Sequence, residues 1–206
     1  LAAAIAAGQV SAREVVEAHI EAIERGNERV NAVVATRFDE ARAEADAADA
    51  RVAATDDPAD LPPLLGVPCT IKESFAVAGL PHSAGLHHRR EWRAPANSTA
   101  VQRLVDAGAI PLGVTNISEL TLWIESTNRV YGRTNNAYDR RRTAGGSSGG
   151  EGAAIGSGFA PFGIGTDFGG SIRIPAFFNG VFGHKPTGSL VPHTGHFPAP
   201  KGEIGS

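Results

Sequence analysis

The sequence predicts an α/β protein, and three observations carry that expectation. Residues 97–114 pass from helix directly to strand: Asn97 or Ser98 caps a run bearing Val101, Leu104 and Val105, Gly108 ends it, and 109–114 is apolar and strand-like. Residues 66–72, Gly-Val-Pro-Cys-Thr-Ile-Lys, form a short apolar run of the kind a buried strand needs. Residues 162–178 read as strand (162–166), tight turn (167–170) and helix (171–178), with Pro175 in the first turns where its missing N–H costs least.

The remaining elements follow in chain order. Ser11 and Glu14 make a capping box, after which Val15, Val16, His19, Ile20 and Ile23 recur at helical spacing as far as Gly26, the expected stop. Residues 30–35 suit a strand or a turn of helix, and 38–54 a second amphipathic helix poor in large side chains, so 1–60 reads as a helical scaffold. The Asp/Pro-rich loop 55–63 delivers the chain to the strand at 66–72, and a Gly/His-containing loop spans 79–93. Residues 117–124 are expected to be helical, and 131–142 an exposed polar loop whose arginines 140–142 are a solvated surface. Residues 149–158 are small enough for a tightly packed helix.

Composition removes several classes of function. The 206 residues carry 19 basic and 22 acidic side chains with no basic stripe interleaved with aromatics, so direct nucleic-acid binding is not expected. No run approaches the ~18 apolar residues of a membrane span. Cys69 is the single cysteine, which excludes an intrachain disulfide and suits a reducing, cytoplasmic setting. A start at Leu1, the absence of methionine and an end at Ser206 without a closing element lead to the expectation of a truncated piece.

The chemistry concentrates between residues 143 and 175. Eleven of the 25 glycines lie between Gly145 and Gly170, a density that packing alone does not explain, because each glycine costs backbone entropy. Ser147, Ser148 and Ser171 are small hydroxyls flanked by glycine, an arrangement that exposes a nucleophile and aims N–H groups at a developing anion. The turn before Ser171 would converge the N–H groups of Phe168, Gly169, Gly170 and Ser171 at a helix N-terminus. Far upstream, Lys72 ends the apolar strand. It is one of three lysines, with Lys185 and Lys201, while arginine supplies the other positive charges. Its plain reading is a packed stem with the ammonium reaching water. Its functional reading is a base, its ammonium disfavoured by burial.

GVPCTIKE around Lys72, GGSSGGEGA around Ser147 and GTDFGGSIRIPA around Ser171 together resemble the three blocks of the amidase signature family, with 75 residues between Lys72 and Ser147 and 24 between Ser147 and Ser171. The resemblance runs from about Ser11 to about Pro198. It implies a mixed central β-sheet covered by helices on both faces, present here as the N-terminal part of a single domain over 1–206, with a catalytic core at 64–198. It further implies Ser171 as nucleophile, Ser147 as bridging serine behind a cis peptide with Gly146, and Lys72 as general base. The backbone of Phe168, Gly169, Gly170 and Ser171 would be the oxyanion hole, and Gly146, Ser148, Asp167 and Arg173 would support the site. The activity implied is hydrolysis of a small carboxylic amide through an acyl-serine, with no metal or organic cofactor and a homodimer as a possible assembly. KESF after the lysine block, Glu151, and the residues after Ser171 resemble the fatty-acid amide hydrolase-like branch. The glutaminase A subunits of the tRNA-dependent amidotransferases share the triad and are the nearest alternative.

Rival chemistries fit less well. A histidine-based hydrolase of Ser171, Asp167 and His184 lacks a G-x-S-x-G elbow. Cys69 sits inside an apolar strand, where a lone cysteine behaves as a small hydrophobe. His87, His88, His184, His193 and His196 have no metal-ligand spacing, and 180–187 fails the phosphate-loop pattern. A non-catalytic module or fragment that keeps the fold and only binds partners is the reading from another class.

Overall fold

The computed structural model describes residues 1–199; the last part of the expected domain, 200–206 with Lys201, lies outside it. In chain order the elements are α1 (Ala2–Ala6), α2 (Ala12–Val30), β1 (Val33–Thr36), α3 (Phe38–Ala53), β2 (Pro68–Lys72), α4 (Thr99–Asp106), β3 (Ile110–Thr115), β4 (Thr127–Asn128), β5 (Gly132–Arg133), α5 (Gly149–Gly156), β6 (Gly163–Ile164) and α6 (Arg173–Phe178). The main sheet has the order β1-β3-β2-β6. Strand β1 is antiparallel to β3, whereas β2 runs parallel to both β3 and β6, so the sheet is mixed. β4 and β5 form a separate hairpin.

One irregularity decides which side chains face which layer. Opposite β2, the β3 register jumps from Cys69↔Pro111 to Thr70↔Gly113, leaving Leu112 as an extra residue. Such a bulge reverses the side-chain alternation beyond it. Ile110 and Leu112 therefore join α1, α2, α3 and α5 in one buried cluster, while Val114 joins Cys69, Ile71 and α4 Val101 in the other. Helices cover both faces. Thr115, beyond the bulge, returns to the α5 side, the side that also receives Thr70 and Lys72 from β2.

Local sequence chemistry sets the starts of α2 and α4. The Ser11 hydroxyl accepts from Glu14 N–H and the Glu14 carboxylate accepts from Ser11 N–H, closing the capping box of α2. Ser98, rather than Asn97, caps α4.

Three expectations are corrected. Helix α2 does not stop at Gly26 but continues to Val30 and ends on Asn31 in the left-handed conformation. Gly26 instead makes room for the Phe159 ring, which a Cβ there would meet at 2.8 Å. Residues 117–124 are not a helix; they hold a single 3₁₀ turn, Glu119–Thr121, with Leu120 and Thr121 at positive φ. The reason is that their polar groups serve neighbours: Ser118 N–H donates to Ser147 O, Leu120 N–H to Ala84 O, and the Ser118 hydroxyl caps Trp123 O and Glu125 O. Residues 131–142 are not simply an exposed loop, because β5 lies in them and Thr134 and Asn136 are buried, the latter donating to Phe178 O.

Candidate active site

Parallel strands β2 and β6 end side by side, and the site lies at their C-terminal ends, where open α/β sheets place ligands. Lys72 is the last residue of β2 and is fully buried, so its amine does not reach water. Its Nζ donates to Ser147 Oγ at 2.6 Å and to Thr166 Oγ1 at 2.7 Å, and among the described residues it has no carboxylate in hydrogen-bond reach. Burial pushes the Lys72 ammonium down to about 7, against the pull of the Glu151 and Asp167 carboxylates.

Ser147 stands at the mouth of α5. The Gly146–Ser147 peptide is cis. Ser147 O accepts from Ser118 N–H and the Ser126 hydroxyl, and the Ser126 hydroxyl in turn accepts from Gly149 N–H. Gly146 is packed so tightly that a Cβ would meet Glu125 N, Ile124 C and the Ser118 hydroxyl, all within 2.8 Å. Ser148 ties three segments together: its hydroxyl pairs with both backbone groups of Thr166, and its N–H donates to Ser171 O.

The turn that carries Ser171 is shaped by Asp167. Its buried carboxylate accepts from the N–H groups of Gly170, Ile172 and Arg173 and from two nitrogens of the Arg173 guanidinium. Burial alone would raise the Asp167 carboxyl, but these bonds, led by Arg173, hold it well below the usual carboxylate range. With both oxygens committed, Asp167 is not free to orient His184, which weighs against the histidine reading. Gly170 takes φ +122° in this turn, a conformation that a side chain would strain.

The structure thus brings Lys72 and Ser147 into direct contact and joins Asp167 to Arg173. Ser171 faces the same cleft as Ser147, but its hydroxyl makes no hydrogen bond among the described residues. Of the four N–H groups expected to converge on an oxyanion, that of Gly170 is given to Asp167, while those of Phe168, Gly169 and Ser171 have no partner among the described residues. The cleft is about 800 Å³ and is also lined by Ile164, Phe168, Ile172 and Phe182, an apolar wall beside a polar floor.

Sequence reasoning missed Thr166, the second partner of Lys72, although it immediately precedes Asp167 in the same motif. It also missed Ser118 and Ser126, lone hydroxyls in a stretch without pattern, which only tertiary packing delivers. His184, His193 and His196 all line the cleft. Burial pushes His196 down to about 4, so it is neutral near pH 7. Among the described residues no three His, Cys, Asp or Glu side chains are grouped to hold a metal ion.

Comparison with known proteins gives a family and a set of relatives. The family model described as Amidase matches residues 14–203. Human fatty-acid amide hydrolase 2 is 49% identical over 202 residues, which is 96% of this chain and 38% of that protein. The glutamyl-tRNA(Gln) amidotransferase A subunit of Acidothermus cellulolyticus is 43% identical over 91% of this chain and 36% of its own length. The X-ray structure of the native peptide amidase of Stenotrophomonas maltophilia superimposes with a TM-score of 0.86 at 33% identity, covering 95% of this chain and 41% of that one. The chain spans about two fifths of the length of the curated relatives it matches.

Proposed function

Because the chain belongs to the amidase signature family, we propose that the protein hydrolyses a carboxylic amide through an acyl-serine on Ser171, with Ser147 as relay and Lys72 as base. The observation that carries this reading is a fully buried amine bonded to a serine, with no acid among the described residues in hydrogen-bond reach to hold it as an ammonium. A neutral Lys72 keeps one N–H for Thr166 and turns its lone pair to Ser147. Ser171 Oγ attacks the carbonyl carbon and passes its proton to Ser147, whose own proton goes to Lys72. The negative oxygen of the tetrahedral adduct is met by backbone N–H groups of the 168–171 turn. As the C–N bond breaks, the relay runs backwards and protonates the leaving nitrogen, and water then hydrolyses the Ser171 ester. The reaction as drawn asks nothing of a metal or organic cofactor.

The apolar wall of the cleft and the 49% identity to a fatty-acid amide hydrolase favour an acyl chain as substrate. The test is release of acid from fatty-acyl and aryl amides by the full-length protein, with glutamine alongside for the amidotransferase-type reading. Turnover of an acyl amide that is lost in Ser171→Ala is expected. Turnover retained by Ser171→Ala would overturn the nucleophile, and hydrolysis of glutamine alone would overturn the acyl-chain substrate.

A further inference from the structure

Glu151, in the first turn of α5, is 5% exposed and meets no cation in hydrogen-bond distance among the described residues. Its carboxylate has a built seat. Thr70 Oγ1 donates to Oε2 and Thr115 Oγ1 to Oε1, both at 2.7 Å. Thr70 is two residues before Lys72 on β2, and Thr115 is paired with Lys72 across β3, so the three side chains share one face. Opposite, β6 leaves the space open at Gly163, where a Cβ would run into Glu151 Oε2 and Thr70 O. An isosteric glutamine would satisfy the same two hydroxyls without burying a charge, so the carboxylate calls for a reason beyond packing.

We propose that Glu151 is a positioning residue for the Lys72 base: seated between Thr70 and Thr115 beneath the site, its carboxylate sets how readily Lys72 releases its proton. This rests on the reading of Lys72 as the base. Burial pushes the Glu151 carboxyl up to about 7, opposed by the two threonine bonds and by Lys72. The protonation of Glu151 and that of Lys72 are therefore linked, a charge on either favouring the opposite charge on the other. The seat accommodates both forms of the carboxyl, because Thr115 Oγ1 also lies 3.4 Å from Ile71 O and can donate there when the carboxyl carries the proton.

The other titratable groups around the pair are committed elsewhere. Asp167 is tied to Arg173, His196 is neutral, and burial pushes the Cys69 thiol upward, so it stays protonated. Glu73, the residue after Lys72, accepts from Ser83, Ala84 and Tyr131.

The experiment is the pH dependence of fluorophosphonate labelling of Ser171 in the full-length protein. Removing the negative charge with Glu151→Gln lets Lys72 lose its proton at lower pH, so the midpoint of the acidic limb falls by about half a unit to one unit. Glu151→Asp restores the charge and brings the midpoint back towards wild type. Thr115→Val, an isostere suited to a strand, weakens the carboxylate and moves the midpoint the same way by less. It serves as the test should Glu151→Gln fail to fold. An unmoved midpoint in the folded variant overturns the proposal. Lys72→Ala in the same assay separates the two readings: labelling at the wild-type rate removes the base itself, whereas lost labelling together with an unmoved Glu151→Gln midpoint removes only the role of Glu151.

Discussion

In the proposed mechanism Lys72 takes its role from its surroundings. On an exposed strand its ammonium would be ordinary; here the amine lies fully buried against two hydroxyls, and burial disfavours the charge. As the proposed base, an amine titrating near pH 7 has a substantial neutral fraction ready to accept a proton. Lys72→Ala is expected to slow fluorophosphonate labelling by about a hundredfold or more while leaving the circular dichroism spectrum unchanged. In the wild type the rate is expected to rise with pH through about 7, since only the neutral amine accepts the proton. A flat profile between about pH 5 and 9 would contradict it. The sequence marks Lys72 as chemically out of place, because it closes an apolar strand. Its partner Thr166 and the threonines of the Glu151 seat were not legible there, since hydroxyls on three different strands or loops become a set only after parallel pairing aligns them.

Among the elements, the capped and periodic ones were legible and the ones held by neighbours were not. The capping box placed the start of α2, and the Ser98 cap, the apolar run and Gly108 placed α4 and β3. Gly26 misled because glycine inside a helix reads as a stop when its real partner, Phe159, is 133 positions away in the chain. This position sets two effects against each other. Alanine gains about 1 kcal/mol of helix propensity over glycine, but its Cβ would press 2.8 Å from a buried ring, and overpacking costs about 1–3 kcal/mol. Overpacking should win, so Gly26→Ala is expected to lose about 1 kcal/mol in a denaturant titration; a gain in stability would show that the Phe159 ring yields. For 117–124 a helix was expected, yet its N–H groups and the Ser118 hydroxyl hold Ala84, Ser147 and the 123–125 segment in place. That stretch is a brace for the site.

Across the molecule, β2 and the later stretch 146–171 meet at one end of the sheet. β2 brings Lys72, the segment before α5 brings Ser147 and α5 itself Glu151, β6 leads into Thr166, and the Asp167 turn presents Ser171. The two parallel pairings of β2 make that convergence possible, because they bring the ends of all three strands to the same edge. The class of fold was legible from the helix-to-strand unit and the strand-turn-helix unit. The sheet order β1-β3-β2-β6 and the bulge at Leu112 were not, since both come from pairings remote in sequence. The central claim is that this convergence activates Ser171. Fluorophosphonate labelling of the full-length protein, followed by peptide mapping, tests it directly. A single adduct on Ser171 that disappears in Ser171→Ala is the expected result; an adduct on another residue, or none in a folded sample, would contradict the account.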